Sequence, residues 1–177
     1  SYRLANAGYD VVLSNVTNLY FDLAYDGHPA EPGLIWGGYV DTKTAWRFSP
    51  NNQFAAVLKD NQGNDMPITQ WENTMEWLKP EGKKHIKGIQ GQLWTETVKT
   101  SDMVFYYTLP KLLGLAERAW TTEAAWEAKR FSPEREQQLN ADWEIFANKL
   151  GQKELAKLDY IFGGYTYRVP PPGAKIL

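Results

Sequence analysis

Two short stretches of the sequence each place an aromatic residue two positions before a carboxylate. Tyr20 and Asp22 follow the apolar run "DVVL", and Trp94 and Glu96 follow "IKGIQGQL". In an extended chain, side chains two positions apart point to the same side, so each stretch presents a flat ring beside a charged acceptor. The spacing therefore indicates a binding site for a ligand with an apolar face and a rim of hydrogen-bond donors.

A pyranose sugar has both properties, because its C–H face can lie on an indole ring while its hydroxyls donate to carboxylates. A hydrogen bond to a charged group contributes about 1.5 to 3 kcal/mol. We therefore expect Trp94 to form the floor of a sugar pocket, Asp22 and Glu96 to accept at its rim, and Tyr20 to donate its hydroxyl. Trp36, in the glycine-flanked loop "GLIWGG", would be a second wall.

Each of these residues also has an ordinary structural interpretation. A tryptophan at a strand end is often part of the core, and a single loop carboxylate such as Glu96 is often only solvated. Trp36 can equally fold back under its own loop. The sugar interpretation rests on the repetition of the aromatic and carboxylate pair after two separate apolar runs.

Composition excludes several other classes of function. Nineteen basic and twenty-one acidic residues give a net charge of -2 without any block of like charge, so neither a nucleic acid nor a membrane is an expected partner. The chain has no cysteine, and His28 and His85 stand in no ligand-like spacing. We therefore predict no metal site, no histidine-based triad and no cofactor.

The elements that must position these residues begin with two strands. The β-branched run "YDVVLSN" (9–15) predicts a buried strand, and "HIKGIQGQLW" (85–94) predicts a second. A long loop rich in glycine and proline follows the first strand. Loops of this length inside compact domains are usually functional.

Three helical segments are predicted. The first has a capping box at Thr69 and Glu72, presents Trp71, Met75 and Leu78 on one face, and stops at Pro80.

The second helix begins at Asp102 with Ser101 as its cap, and Pro110 kinks or restarts it. The third begins at Ser132 and Pro133 and ends at Gly151. It presents one apolar face, formed by Leu139, Trp143, Phe146, Ala147 and Leu150.

Strands that alternate with helices favour an α/β architecture with parallel strands, in which the chemistry lies on loops at the carboxyl ends of the strands. Two strands cannot close a barrel. A complete (β/α)8 barrel needs about 250 residues, so a chain of 177 residues would hold only a part of one.

The order and content of four motifs resemble one known family. "YDVVLSNVTNLYFDLAYDG", "GLIWGGYVDT", "IKGIQGQLWTETV" and "LPKLLGLAERAWT" are similar to the carboxyl-terminal part of the catalytic domain of family-20 glycoside hydrolases, the β-N-acetylhexosaminidases, and most of all to bacterial chitobiases. The resemblance implies that residues 1–168 are the carboxyl-terminal portion of a (β/α)8 TIM barrel, holding strands seven and eight. Residues 169–177 would be a Pro-rich linker towards a following domain.

The resemblance also implies a reaction. These enzymes hydrolyse terminal β-linked N-acetylhexosamine with retention, and the nucleophile is the acetamido oxygen of the substrate itself, an exception to the scheme with two carboxylates. Tyr20 would be catalytic and orient that oxygen. Asp22, Trp36, Trp94 and Glu96 would bind an N-acetylglucosamine-containing oligosaccharide such as chitobiose, and chitin degradation in the periplasm or outside the cell is the expected setting.

One departure from the family pattern limits the expected activity. The family uses an adjacent Asp-Glu pair to orient the acetamido group and protonate the leaving oxygen, and no Asp in this sequence is followed by Glu. We expect the chain alone to be inactive and to need the amino-terminal half of the barrel or self-association. The alternatives are a non-catalytic carbohydrate-binding module and a structural half-barrel that associates.

Overall fold

The fold is described by a computed structural model over residues 1–56, 64, 73–129 and 132–164. Within this part of the chain, a parallel sheet of two strands is formed by β1 (Val11–Leu13) and β2 (Ile86–Ile89). Leu13 lies opposite Ile89 in the register. Both strands were predicted from the sequence, and their parallel pairing brings the loops that follow them to the same edge of the sheet.

Short helices surround this sheet. In chain order the α-helices are α1 (Tyr2–Asn6), α2 (Val16–Leu19), α3 (Thr42–Trp46), α4 (Ser101–Thr108), α5 (Lys111–Trp120), α6 (Pro133–Lys149) and α7 (Leu155–Phe162). 3-10 helix covers Gln53–Ala55 in one turn and Pro80–His85 in two, and a π turn at Leu150–Glu154 joins α6 to α7. None of the helices in the described ranges is long and apolar enough to cross a bilayer.

The predicted interruption at Pro110 is confirmed, because α4 ends at Thr108 and α5 restarts at Lys111. The predicted cap of α4 is wrong by one residue. Thr100, not Ser101, adopts the extended conformation of an N-cap, and its hydroxyl accepts a hydrogen bond from the Met103 N–H at 3.3 Å.

The predicted start of α6 is also confirmed, since the Ser132 hydroxyl accepts from the Arg135 N–H at 3.1 Å and Pro133 is the first helical residue. The predicted end at Gly151 is wrong. The helical conformation continues through the π turn and α7, and it ends where Gly163 adopts a left-handed conformation with φ 69°. Leu150 and Leu155 stay buried across the π turn, so apolar contact favours continuation over termination at Gly151.

The helix predicted from the capping box is only partly covered by the structure. Thr69 and Glu72 lie outside the described residues, and residues 73–79 form a turn followed by irregular chain rather than a helix. Asn6 explains this difference, because its side-chain amide donates to the Trp77 carbonyl at 2.8 Å and accepts from the Lys79 N–H at 2.9 Å. These backbone groups therefore pair with Asn6 instead of with helical partners. The predicted linker 169–177 lies outside the described residues as well.

Two apolar clusters hold the elements together. The first consists of Tyr2, Leu13, Leu19, Phe48 and Ala56, and the second consists of Trp46, Trp126, Leu139, Trp143 and Ala147. The first cluster fixes β1 and the start of its loop, and the second packs α6 against α3. The loops at the carboxyl ends of the strands consequently rest on a rigid base.

Candidate active site

The loops that follow β1 and β2 remain joined beyond the sheet. Tyr20 and Gln92 form an isolated parallel bridge, in which the Phe21 N–H donates to the Gln92 carbonyl at 2.7 Å and the Gln92 N–H donates to the Leu19 carbonyl at 2.8 Å. The bridge holds Tyr20 and Trp94 at one edge. The pairing explains why two residues far apart in sequence reach the same site.

All five residues singled out from the sequence line one pocket of about 350 Å³. Its lining consists of Tyr20, Asp22, Leu34, Trp36, Trp94 and Glu96. This volume lies at the lower end of the range for small-molecule sites, which starts at about 300 Å³. Leu34 was not predicted, because an isolated leucine in a loop carries no signal that distinguishes a pocket wall from ordinary packing.

Three aromatic rings form the walls of this pocket. The Tyr20 ring lies edge-on to Trp36, with ring centroids 6.2 Å apart, and tilted to Trp94, with centroids 6.1 Å apart. Trp36 is 54% exposed and Trp94 is 48% exposed. Neither indole is therefore a core residue, and both rings present apolar surface to the pocket.

Asp22 supplies a buried carboxylate beside these rings. The residue is 1% exposed, and its Oδ1 accepts a hydrogen bond from the backbone N–H of Trp94 at 3.3 Å. Its Oδ2 is buried and has no hydrogen-bond partner among the described residues. Burial raises the pKa of Asp22 above its usual value, against the opposing effect of the Trp94 N–H, and the negative charge of Glu96 raises it further. An O–H donor from a ligand would satisfy Oδ2 and favour the charged form.

Glu96 lies on the exposed turn that follows Trp94. The next residue anchors this turn, since the Thr97 hydroxyl and the buried Tyr107 hydroxyl are 3.0 Å apart. The second carboxylate of the pocket is therefore carried by a loop tied to α4. No group of three or more metal-ligating side chains is found within the described ranges.

The loop that carries Trp36 returns to the site through a second isolated bridge, between Leu23 and Leu34. The Ala24 N–H donates to the Leu34 carbonyl at 2.8 Å, and the Leu34 N–H donates to the Asp22 carbonyl at 3.1 Å. Gly33 allows this close approach, because its φ is 119° and a Cβ there would lie 2.8 Å from the Ala24 nitrogen. The crossing places Leu34 and Trp36 over the pocket.

Lys111 is a residue at the base of the site that the sequence interpretation missed. Its ammonium is fully buried and donates to the Phe21 and Leu23 carbonyls, each at 2.8 Å. Burial lowers the pKa of Lys111 to about 7, although the carboxylates of Glu31, Asp41 and Asp22 oppose this effect. A lysine in the first turn of a helix is unfavourable for the helix dipole, and this was the one local signal that could have marked it.

Sequence comparison places this chain in a known family. The family model described as "Glycosyl hydrolase family 20, catalytic domain" matches residues 1–123 of the chain. A beta-hexosaminidase of Vibrio vulnificus is 37% identical over 192 aligned positions, which cover 97% of this chain and 21% of that protein. The chain belongs to glycosyl hydrolase family 20.

A second relative supports the same family assignment. The N,N'-diacetylchitobiase of Vibrio harveyi is 34% identical over 99% of the chain and 20% of its own length. The chain thus spans about a fifth of the length of these curated relatives. The predicted membership of the β-N-acetylhexosaminidase family is confirmed.

Two solved structures show that the fold of this family-20 chain is shared as well. The exo-β-N-acetylglucosaminidase of Vibrio harveyi, in complex with N-acetylglucosamine, aligns with a TM-score of 0.57 and 24% identity over 94% of this chain and 20% of that one. A mutant Streptomyces plicatus beta-hexosaminidase, in complex with the product GlcNAc, aligns with a TM-score of 0.60 and 20% identity, over 96% of this chain and 26% of the other. The catalytic domain of these proteins is a TIM barrel, and the family-20 chain corresponds to a part of one.

Proposed function

We propose that this chain supplies one side of the sugar pocket of a retaining β-N-acetylhexosaminidase that acts on chitobiose-like substrates. The observation that carries the proposal is the pocket in which Tyr20, Asp22, Trp36, Trp94 and Glu96 meet. Its two exposed indoles offer an apolar surface, and its two carboxylates accept from hydroxyls. Asp22 Oδ2, which lacks a partner among the described residues, is an acceptor available to such a hydroxyl.

In this proposal the substrate performs the nucleophilic step. The 2-acetamido oxygen attacks the anomeric carbon while the bond to the leaving oxygen breaks, and the general acid of the amino-terminal portion protonates that oxygen. Water later opens the oxazolinium intermediate and returns a proton to the same group. The Tyr20 hydroxyl donates to the acetamido group and orients it. Asp22 and Glu96 hold hydroxyls of the terminal sugar, Trp94 packs on its face, and Trp36 stacks on the next sugar.

The proposal also includes the position in the barrel. In this proposal β1 and β2 are the seventh and eighth strands of the barrel. The family's Asp-Glu pair lies at the end of the fourth strand, and the amino-terminal portion of the enzyme supplies that pair. By the same family likeness, the complete enzyme acts in the periplasm or outside the cell. Support comes from the parallel pairing of β1 with β2 and from the absence of an Asp-Glu pair in the sequence.

Hydrolysis of a chromogenic N-acetyl-β-glucosaminide by the complete enzyme tests the function. We expect turnover of the nitrophenyl N-acetylglucosaminide and no measurable turnover of the matched nitrophenyl glucoside, because the glucoside lacks the acetamido nucleophile. Equal rates on both substrates would contradict substrate assistance. Tight chitobiose binding without any turnover would instead favour a carbohydrate-binding module, which the exposed indoles of Trp36 and Trp94 would also suit.

Replacement of Trp36 by alanine should weaken the binding of disaccharide selectively. Because Trp36 is half exposed at the pocket wall, its loss removes one stacking surface and leaves the fold intact. An aromatic contact contributes about 0.5 to 1.5 kcal/mol beyond its buried area, so we expect the KM for chitobiose to rise about tenfold. The KM for a monosaccharide nitrophenyl substrate should change less, and an equal rise for both would argue against a role at the second sugar.

A further inference from the structure

We propose that Lys111 is a positioning residue that holds the Asp22 carboxylate in place for the sugar, an inference that rests on the proposed function. Its ammonium donates to the carbonyls of the residues on either side of Asp22, at 2.8 Å each. Lys111 itself lines no part of the pocket. Its effect on the substrate therefore passes through the backbone at Asp22.

Three contacts of the ammonium are made with the loop that follows β1. Its Nζ lies 3.8 Å from the centroid of the Tyr25 ring, so two N–H groups meet carbonyls and the remaining charge faces an aromatic surface. The Tyr25 hydroxyl donates in turn to the Leu109 carbonyl at 3.1 Å, beside the start of α5. Lysine and tyrosine together tie the loop after β1 to the helix that begins at Lys111.

The buried ammonium of Lys111 is paired with two carbonyls of the loop that follows β1. Removing an ammonium from water lowers stability unless its donors find partners in the protein. Replacing Lys111 by an apolar residue would leave the Phe21 and Leu23 carbonyls without their donor. Those carbonyls flank a carboxylate whose Oδ1 accepts a hydrogen bond of 3.3 Å from the backbone N–H of Trp94. Lys111 supplies the additional restraint that this carboxylate needs to meet a hydroxyl in a fixed direction.

A double-mutant cycle in the complete enzyme tests the proposal with a nitrophenyl N-acetylglucosaminide. Lys111→Met keeps the length of the side chain and removes its donors, and Asp22→Asn removes the charged acceptor. We expect Lys111→Met to lower kcat/KM about 10-fold to 100-fold, chiefly through a higher KM, because a hydroxyl bond to a carboxylate is lost. In the Asp22→Asn background the same change should cost less than about threefold.

Three outcomes would overturn the proposal. An unchanged kcat/KM in Lys111→Met would show that the lysine does not position the acid. A loss of the same size with and without the Asp22 carboxylate would show that Lys111 acts elsewhere. A comparable loss in Leu139→Ala, which creates a cavity in the other apolar cluster, would show that any destabilisation lowers kcat/KM. For Leu139→Ala we expect a lower melting temperature with kcat/KM unchanged.

A fallback variant and the wild-type enzyme complete the experiment. If Lys111→Met does not fold, Lys111→Gln places its N–H groups one bond short of the Phe21 and Leu23 carbonyls, so the same loss of kcat/KM is expected and the variant enters the same cycle. Wild-type enzyme that fails to hydrolyse the substrate would refute the proposed function itself. Active wild-type enzyme with additive mutants would refute only the role of Lys111.

Discussion

Replacement of Tyr20 by phenylalanine is expected to lower the turnover number of the complete enzyme about 100-fold or more while the KM changes little. The hydroxyl is proposed to bond the acetamido oxygen, and this bond strengthens as the group develops charge on its way to the oxazolinium. An interaction that is stronger in the transition state than in the ground state acts on kcat. Removal of a single donor of this kind typically costs about 100-fold to 1000-fold.

The structure makes Tyr20→Phe a clean substitution. Within the part of the chain that the structure describes, the Tyr20 ring contacts Trp36 and Trp94, and phenylalanine keeps both contacts. Tyr160→Phe is a matched control, because Tyr160 is 91% exposed on α7 and lies outside the pocket lining. Steady-state kinetics on the nitrophenyl substrate give the measurement. A Tyr20→Phe enzyme with wild-type kcat would refute the assigned role.

The second large effect concerns the isolated chain, which is expected to show no detectable turnover of the same substrate. No Asp in its sequence is followed by Glu, and in the proposed function the general acid belongs to the amino-terminal portion of the enzyme. A positioned general acid typically contributes about 100-fold to 10,000-fold to the rate. The rate of the chain alone should therefore lie at least about 100-fold below that of the complete enzyme.

Complementation provides the control for this experiment. A separately produced amino-terminal portion that carries the Asp-Glu pair should restore turnover when it is mixed with the chain. Circular dichroism and light scattering on the chain alone establish whether it is folded and whether it associates, since unpaired parallel strand edges favour association. Turnover by the purified chain without any added portion would contradict the expectation directly.

Much of the site could be predicted from local sequence. The pairs Tyr20 with Asp22 and Trp94 with Glu96 lie after apolar runs that form strands, and parallel strands bring their carboxyl ends to one edge. This single topological fact sufficed to predict that the four residues meet. The roles assigned to them remain predictions.

Other features depend on contacts between distant parts of the chain and could not be predicted locally. Asn6 pairs with the backbone of Trp77 and Lys79, where the sequence predicts the last turn of a helix and the structure has irregular chain. The helical conformation does not stop at Gly151, because Leu150 and Leu155 remain buried on both sides of the π turn. In each case a tertiary contact outweighs a local preference of about 1 kcal/mol.

The sequence by itself determined the chemistry of the pocket, because residue types fix which groups can stack, accept and donate. It also determined where the strands and most helices begin, since caps and prolines act within a few residues. Only the tertiary structure decided which carboxylate oxygen has no partner among the described residues and which cation lies beneath it. Burial and hydrogen-bond geometry arise when Lys111 meets a loop about 90 positions earlier in the chain, and no local pattern encodes that distance.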